Sequence, residues 1–199
     1  MQLHNLFPVP IAIVEMDRKL NDQELSFIYG LEKRPNMGNS ASVNNMVLCD
    51  PALASLKVFC EQAVNQYFES TANPKNKVNI SITQSWLNYS EHGQYHHKHL
   101  HHNSYISGVF FVQTNDDDRI YFYKDGWEPF KFLVKEWNLY NSESWWFEAN
   151  AGKLIIFPSS LTHSVPEVQG STTRISLGFD TFPVWGNSAG GLDGALCRN

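Results

Sequence analysis

The rhythm of hydrophobic positions changes near residue 78. Before it, Leu53, Leu56, Cys60, Ala63 and Tyr67 recur at spacings of three and four within "DPALASLKVFCEQAVNQYFES". That spacing predicts a helix with one apolar face. Asp50 suits its N-cap and Pro51 its first helical position, where no backbone N–H is needed. "NDQELSFIYGLEK" predicts a second, earlier helix. Asn21 can cap it, and Glu24, three residues on, completes a capping box. The opening "NLFPVPIAIVEM" reads as edge or irregular β structure, because Pro8 and Pro10 cannot donate to a ladder.

From residue 78 the apolar residues come in short runs. "VNISITQSWLNY", "ISGVFFVQ", "RIYFYKD", "KFLVKEW", "SWWFEA", "GKLIIFP" and "TTRISLGFD" are β-type, separated by turn clusters such as "TNDDD", "NSES" and "ANAG". Many short strands with regular turn signals indicate a sandwich or barrel. Strands do not alternate with helices, which argues against a doubly wound parallel sheet. The expected class is α+β, mainly β, in one domain spanning 1–199. Residues 1–75 form a mostly helical support, 76–183 a β core and the Gly-rich 184–199 a C-terminal extension.

Composition narrows the function classes. The net charge is −5 and no Lys/Arg block appears, which argues against a nucleic-acid binder. No apolar run approaches the roughly 18 residues that span a bilayer. The N-terminus has no basic region and makes a poor signal peptide. The three cysteines, Cys49, Cys60 and Cys197, are odd in number and widely spaced, so idle thiols in a reducing compartment are expected. The expected location is the cytoplasm, a host's cytoplasm if the gene is viral. The oligomeric state is open, a homodimer included.

Six of the eight histidines fall in "HGQYHHKHLHHN", residues 92–103. An internal run broken by Lys98 and Leu100 and followed by an apolar strand belongs to the fold. If it is extended, His97, His99, His101 and Asn103 share one face, and His96, Lys98, Leu100 and His102 the other. Side chains two apart lie roughly 6.6 Å apart along a strand and can be drawn onto one ion. Neutral imidazole suits iron, zinc, copper or nickel. A third ligand could come from His163, which follows the apolar strand and turn of "GKLIIFPSSLTHSV". His4, near the terminus, is the other histidine outside the run. Eleven residues beyond His163, Arg174 and Ser176 share a strand face. An inward Arg meets either an anion or a structural carboxylate.

The combination resembles the iron(II)/2-oxoglutarate-dependent oxygenases, and within them the oxygenases of bacteria and their viruses in the prolyl-hydroxylase-like superfamily. "LFPVP", "SWLN", "HLHHNSYISGVFFV", "GKLIIFPSSLTHSV" and "RISLGF" carry the resemblance, and "HxHxNSxxSG" with "FPxxxxH" is its most specific part. It implies a double-stranded β-helix (jelly roll, cupin-like) with N-terminal helices packed against it. It implies Fe(II) on His99, His101 and His163, with a His101/Asn103 register as the rival pairing. Arg174 would hold the distal carboxylate of 2-oxoglutarate with Ser176 beside it, and Asn88 and Tyr123 would be further cosubstrate contacts. Trp86 would pack in the core.

The implied reaction is oxidative decarboxylation of 2-oxoglutarate by O₂, coupled to hydroxylation of a peptide, prolyl or small-molecule substrate. One departure matters. The usual facial triad has two His and one carboxylate, and here the carboxylate position is His101. Two alternatives therefore stand beside this reading. One is a three-His cupin-type enzyme that does not use 2-oxoglutarate. The other is a non-enzymatic β-sandwich module.

Overall fold

The computed structural model describes residues 1–126, 130 and 132–185. Its strands are β1 (Ala12–Glu15), β2 (Lys33–Asn36), β3 (Asn39–Ser42), β4 (Val78–Ser90), β5 (His96–His99), β6 (Ile106–Gln113), β7 (Arg119–Tyr123), β8 (Ser144–Glu148), β9 (Lys153–Pro158), β10 (His163–Val165) and β11 (Arg174–Trp185). Its helices are α1 (Asp22–Gly30) and α2 (Ala54–Ala72).

The helix signals act as expected. Asn21 accepts from the Glu24 amide, and the Glu24 carboxylate accepts from the Asn21 amide in return. Arg18 then clamps the buried Glu24 through two bonds of 2.7 and 2.8 Å. Asp50 caps a short 3₁₀ turn, Pro51–Leu53, rather than α2 itself, with its carboxylate accepting from the Ala52 amide. The turn feeds directly into α2, so the apolar face begins where the spacing places it. Asn73 closes α2 in the left-handed conformation.

The strands form two sheets. The larger has the order β1-β9-β6-β11-β4-β3-β2 and the smaller β5-β10-β7-β8. Every described pairing within the two sheets is antiparallel. The fold is a double-stranded β-helix with helices on one side. β1 is an edge strand, as its flanking prolines require. Residues 1–75 are less helical than expected, since they also supply β1, β2 and β3. "KFLVKEW" forms no strand among its described residues, 132–137, which lie exposed in an irregular connection.

Two apolar layers result, and they decide which way every strand residue points. Leu87, Tyr89, Phe110, Leu154, Ile156, Ile175, Leu177 and Phe179 pack outward from the large sheet against α1 and α2. Phe111, Ile155 and Phe157 face inward and meet Ile120, Phe122 and Val165 of the small sheet. Gly108 is required where the outer layer is tight: a Cβ there would collide with the Phe179 ring. Cys49 is disulfide-bonded, so the expectation of three idle thiols fails at that position. Cys60 is a buried free thiol whose pKa burial pushes up. Cys197 lies outside the described residues. Among the described residues, no helix is long and apolar enough to cross a membrane.

Candidate metal and cosubstrate site

Strand parity places the chemistry between the sheets. On β11, Ile175, Leu177 and Phe179 point to the helices, so Arg174, Ser176, Gly178 and Asp180 point inward. On β4 the inward residues opposite them are Ser90, Asn88, Trp86 and Gln84. On the small sheet, His163 lies opposite both His99 of β5 and Phe122 of β7.

This topology brings His99, His101 and His163 together. Their ligand atoms all lie within 4.8 Å of one another. Ring centroids are 4.3 Å apart for His99–His163 and 5.1 Å for both His99–His101 and His101–His163. In each ring, Nδ1 is already committed. His99 Nδ1 is 2.7 Å from the His97 carbonyl, and His163 Nδ1 is 3.0 Å from the Leu161 carbonyl. His101 Nδ1 is 2.6 Å from an Asp180 carboxylate oxygen. Carbonyl and carboxylate oxygens accept, so each Nδ1 carries a proton, and in a neutral ring that leaves the lone pair on Nε2. His101 Nε2 is buried without a hydrogen-bond partner. Burial pushes His163 down to about 3 and His99 down to about 4, with the neighbouring imidazoles adding to the effect. Both rings are therefore neutral at pH 7, the form that binds a metal.

Asp180 was not singled out from the sequence. It receives His101 Nδ1–H and, on the same oxygen, the Ser107 hydroxyl at 2.7 Å. A carboxylate behind a histidine fixes the tautomer and raises ring basicity. The negative charge missing from the ligand position is thus supplied one bond behind it. Parity could have found this residue, because the face shared by Arg174 and Ser176 runs on to Asp180. The "NSxxSG" residues also acquire reasons. Ser107 meets Asp180 and Ser159, and Ser104 accepts from the Thr181 amide at 3.1 Å, which locks β6 to the bulge in β11 beside Asp180.

The other expected residues divide. Arg174 is buried and faces inward, and it is paired with a structural carboxylate: Nη1 donates to Asp118 at 2.7 Å and Nη2 to the Pro166 carbonyl at 2.9 Å. These bonds use two of the five guanidinium N–H donors. Burial lowers its pKa and Asp118 opposes that. Ser176 and Asn88 are cross-strand neighbours on the same inner face, and Asn88 Oδ1 is buried without a partner. Tyr123 is not brought to the cluster. It faces away from Phe122 and His163, bonds the Ser164 hydroxyl at 2.9 Å and lies under the Lys98 ammonium at 3.9 Å. Trp86 is not core: its ring lies 5.5 Å from His101, over Gly178. Asn103 is exposed in a turn at φ 59°, pointing away from the inward set.

Strand parity also fails at one place. His99 pairs with His163 but His96 pairs with Val165, so three residues of β5 span two of β10. This bulge turns His96, expected on the opposite face, toward His99, and their rings stack at 4.5 Å.

A jelly roll with an inward triad of tautomer-fixed histidines and a buried basic residue on the facing sheet offers a metal site between its sheets. Residues 84–180, from β4 into β11, match the family described as "Putative 2OG-Fe(II) oxygenase". That match covers just under half of the chain and makes it similar to the 2-oxoglutarate/Fe(II)-dependent oxygenases, enzymes whose cofactor is Fe(II) and whose cosubstrates are 2-oxoglutarate and O₂.

Solved structures share the fold at low identity. An oxidoreductase of the 2OG-Fe(II) oxygenase family from Burkholderia pseudomallei is 14% identical with TM-score 0.56, over 78% of this chain and 74% of that one. HygX from Streptomyces hygroscopicus, with nickel, 2-oxoglutarate and hygromycin B bound, is 10% identical with TM-score 0.58, over 87% and 82%. A Trichoplax adhaerens prolyl hydroxylase, in complex with a hypoxia inducible factor peptide fragment, is 9% identical with TM-score 0.60, over 86% and 83%. No curated protein matches the chain. The donor set fits the family's metal: three imidazoles converge with their Nδ1 atoms hydrogen-bonded, and His101 Nε2 is buried with nothing to bond.

Proposed function

We propose that the chain is a 2-oxoglutarate-dependent hydroxylase in which His99, His101 and His163 hold iron and Arg174 binds the distal carboxylate of 2-oxoglutarate. The observation that carries this reading is the convergence of three imidazoles whose Nδ1 atoms are all hydrogen-bonded, which leaves Nε2 to ligate. Bound Fe(II) supplies the coupling of keto-acid decarboxylation to oxygen activation, and the protein supplies position and electrostatics. His101 is held by Asp180, which keeps its Nε2 aimed at the metal. Trp86 and Phe157 wall the cluster and limit water access. Arg174, Ser176 and Asp180 share the inner face of β11, with Asp180 bonded to His101, so the guanidinium stands further along the strand from the histidine cluster. A short dicarboxylate laid along β11 would run between the two, with Ser176 and the unpartnered Asn88 Oδ1 on its flank.

The primary substrate is a peptide or small molecule. Relatives of this fold with either kind of substrate support both, and prolyl peptides are the first to try. Anaerobic addition of Fe(II) and then 2-oxoglutarate to the full chain should produce a visible metal-to-ligand absorption. Admission of air should yield succinate. Iron binding without either signal would favour the three-His enzyme that does not use 2-oxoglutarate.

A further inference from the structure

The β5 bulge has a second product. His96 and His97 are sequence neighbours and would point to opposite faces of a regular strand. Because the bulge places three residues of β5 against two of β10, both rings approach His99. Centroids are 5.4 Å apart for His96–His97, 4.5 Å for His96–His99 and 4.8 Å for His97–His99. The ligand atoms of this trio lie within 4.8 Å of one another, as do those of the trio assigned to iron. His97 Nδ1 is buried with no hydrogen-bond partner. A buried imidazole nitrogen left unbonded costs free energy unless something ligates it.

We propose that His96, His97 and His99 form an alternate position for a single divalent transition-metal ion, in exchange with the His99/His101/His163 position. His99 is common to both trios. Its Nδ1 is held by the His97 carbonyl, so Nε2 alone can coordinate, and one lone pair serves one ion at a time. The two positions are therefore mutually exclusive, and His99 is the pivot between them. Three imidazoles with no carboxylate among them rank divalent ions by the general affinity order, so Ni²⁺, Cu²⁺ and Zn²⁺ hold this position more tightly than Fe²⁺. The inference stands on the geometry of β5 and β10 and does not depend on 2-oxoglutarate use.

The test is calorimetric titration of chelator-treated full-length protein with Ni²⁺, without cosubstrate. The wild type should bind a single ion. His163→Ala removes a ligand of the iron trio only, and it should still bind one Ni²⁺. Adding His96→Ala and His97→Ala to that variant should weaken Ni²⁺ at least about tenfold further. If His163→Ala proves misfolded by circular dichroism, His101→Ala takes its place in the same comparison. Ni²⁺ affinity in either background that is indifferent to the loss of His96 and His97 would overturn the proposal. Two ions bound at once by the wild type would overturn the shared pivot.

Discussion

Asp180 offers the sharpest test of how the site is held, because two substitutions there should separate charge from hydrogen bonding. Its Oδ1 accepts from His101 Nδ1 at 2.6 Å and from Ser107 at 2.7 Å, with side-chain exposures of 14% for Asp180 and 7% for His101. Asp180→Asn keeps a carbonyl oxygen that can accept both bonds and loses only the charge. A charge-assisted bond is roughly twice as strong as a neutral one, so about 1 kcal/mol of support for His101 disappears. That corresponds to roughly a fivefold loss of metal affinity. Asp180→Ala strands two buried donors at about 1–3 kcal/mol each and frees the ring to rotate. Metal affinity should then fall about 10- to 100-fold, the range seen when a ligand's hydrogen-bond partner is removed. Anaerobic titration with Co²⁺ as a spectroscopic stand-in reads both variants, with urea unfolding as the stability control. Equal affinity in wild type, Asn and Ala proteins would refute the claim that Asp180 sets the His101 tautomer.

Three further outcomes follow from the same geometry. Arg174→Ala leaves the Asp118 carboxylate buried without its cation; both side chains are 4% exposed, so unfolding stability should drop by about 3–5 kcal/mol in urea titrations. Asp118→Asn/Arg174→Ala together should recover part of that loss, and 2-oxoglutarate affinity measured in this more stable pair isolates the binding role of Arg174 from folding. Gly108→Ala places a methyl against the Phe179 ring and should destabilise by about 1–3 kcal/mol, visible as a lowered melting temperature, while Gly30→Ala, with open space around it, should not. In the metal-free protein His163 stays neutral down to about 3, whereas in the unfolded chain it takes a proton near 6.5. The unfolded state therefore binds more protons between those values. Stability should fall as pH drops through that window, by up to about 1.4 kcal/mol per pH unit from this residue, and level off below it. Urea midpoints that stay flat between pH 7 and pH 4 would count against a neutral buried His163.

The division between what the chain reveals directly and what needs folding is physical. Local signals act over a few residues, and these were readable. The Asn21–Glu24 capping box, the apolar stripe of α2 and the strands β4, β6, β7, β8, β9 and β11 follow from period and capping alone, whereas period does not mark β10 and marks "KFLVKEW" wrongly. His99, His101 and His163 come instead from the family resemblance carried by "HxHxNSxxSG" and "FPxxxxH", and the fold brings the three side chains together. Parity also indicated that Arg174 and Ser176 share a face, though not whether that face was inner or outer.

The tertiary structure decided what depends on partners distant in sequence. Asp180 stands 79 positions from His101, and only the pairing of β6 with β11 makes it that ring's acceptor. Asp118 reaches Arg174 across 56 positions and makes the residue a structural ion pair as well as a candidate clamp. Tyr123 is one residue from Phe122, and that single step of a strand sends it to the opposite face of the small sheet. Most telling is His96. A strict two-residue period assigns it outward, and one extra residue in β5 reverses that assignment. A bulge is a property of two strands in register, not of either alone. The sequence therefore determined which residues could serve a metal site, and the register between strands determined which of them face it.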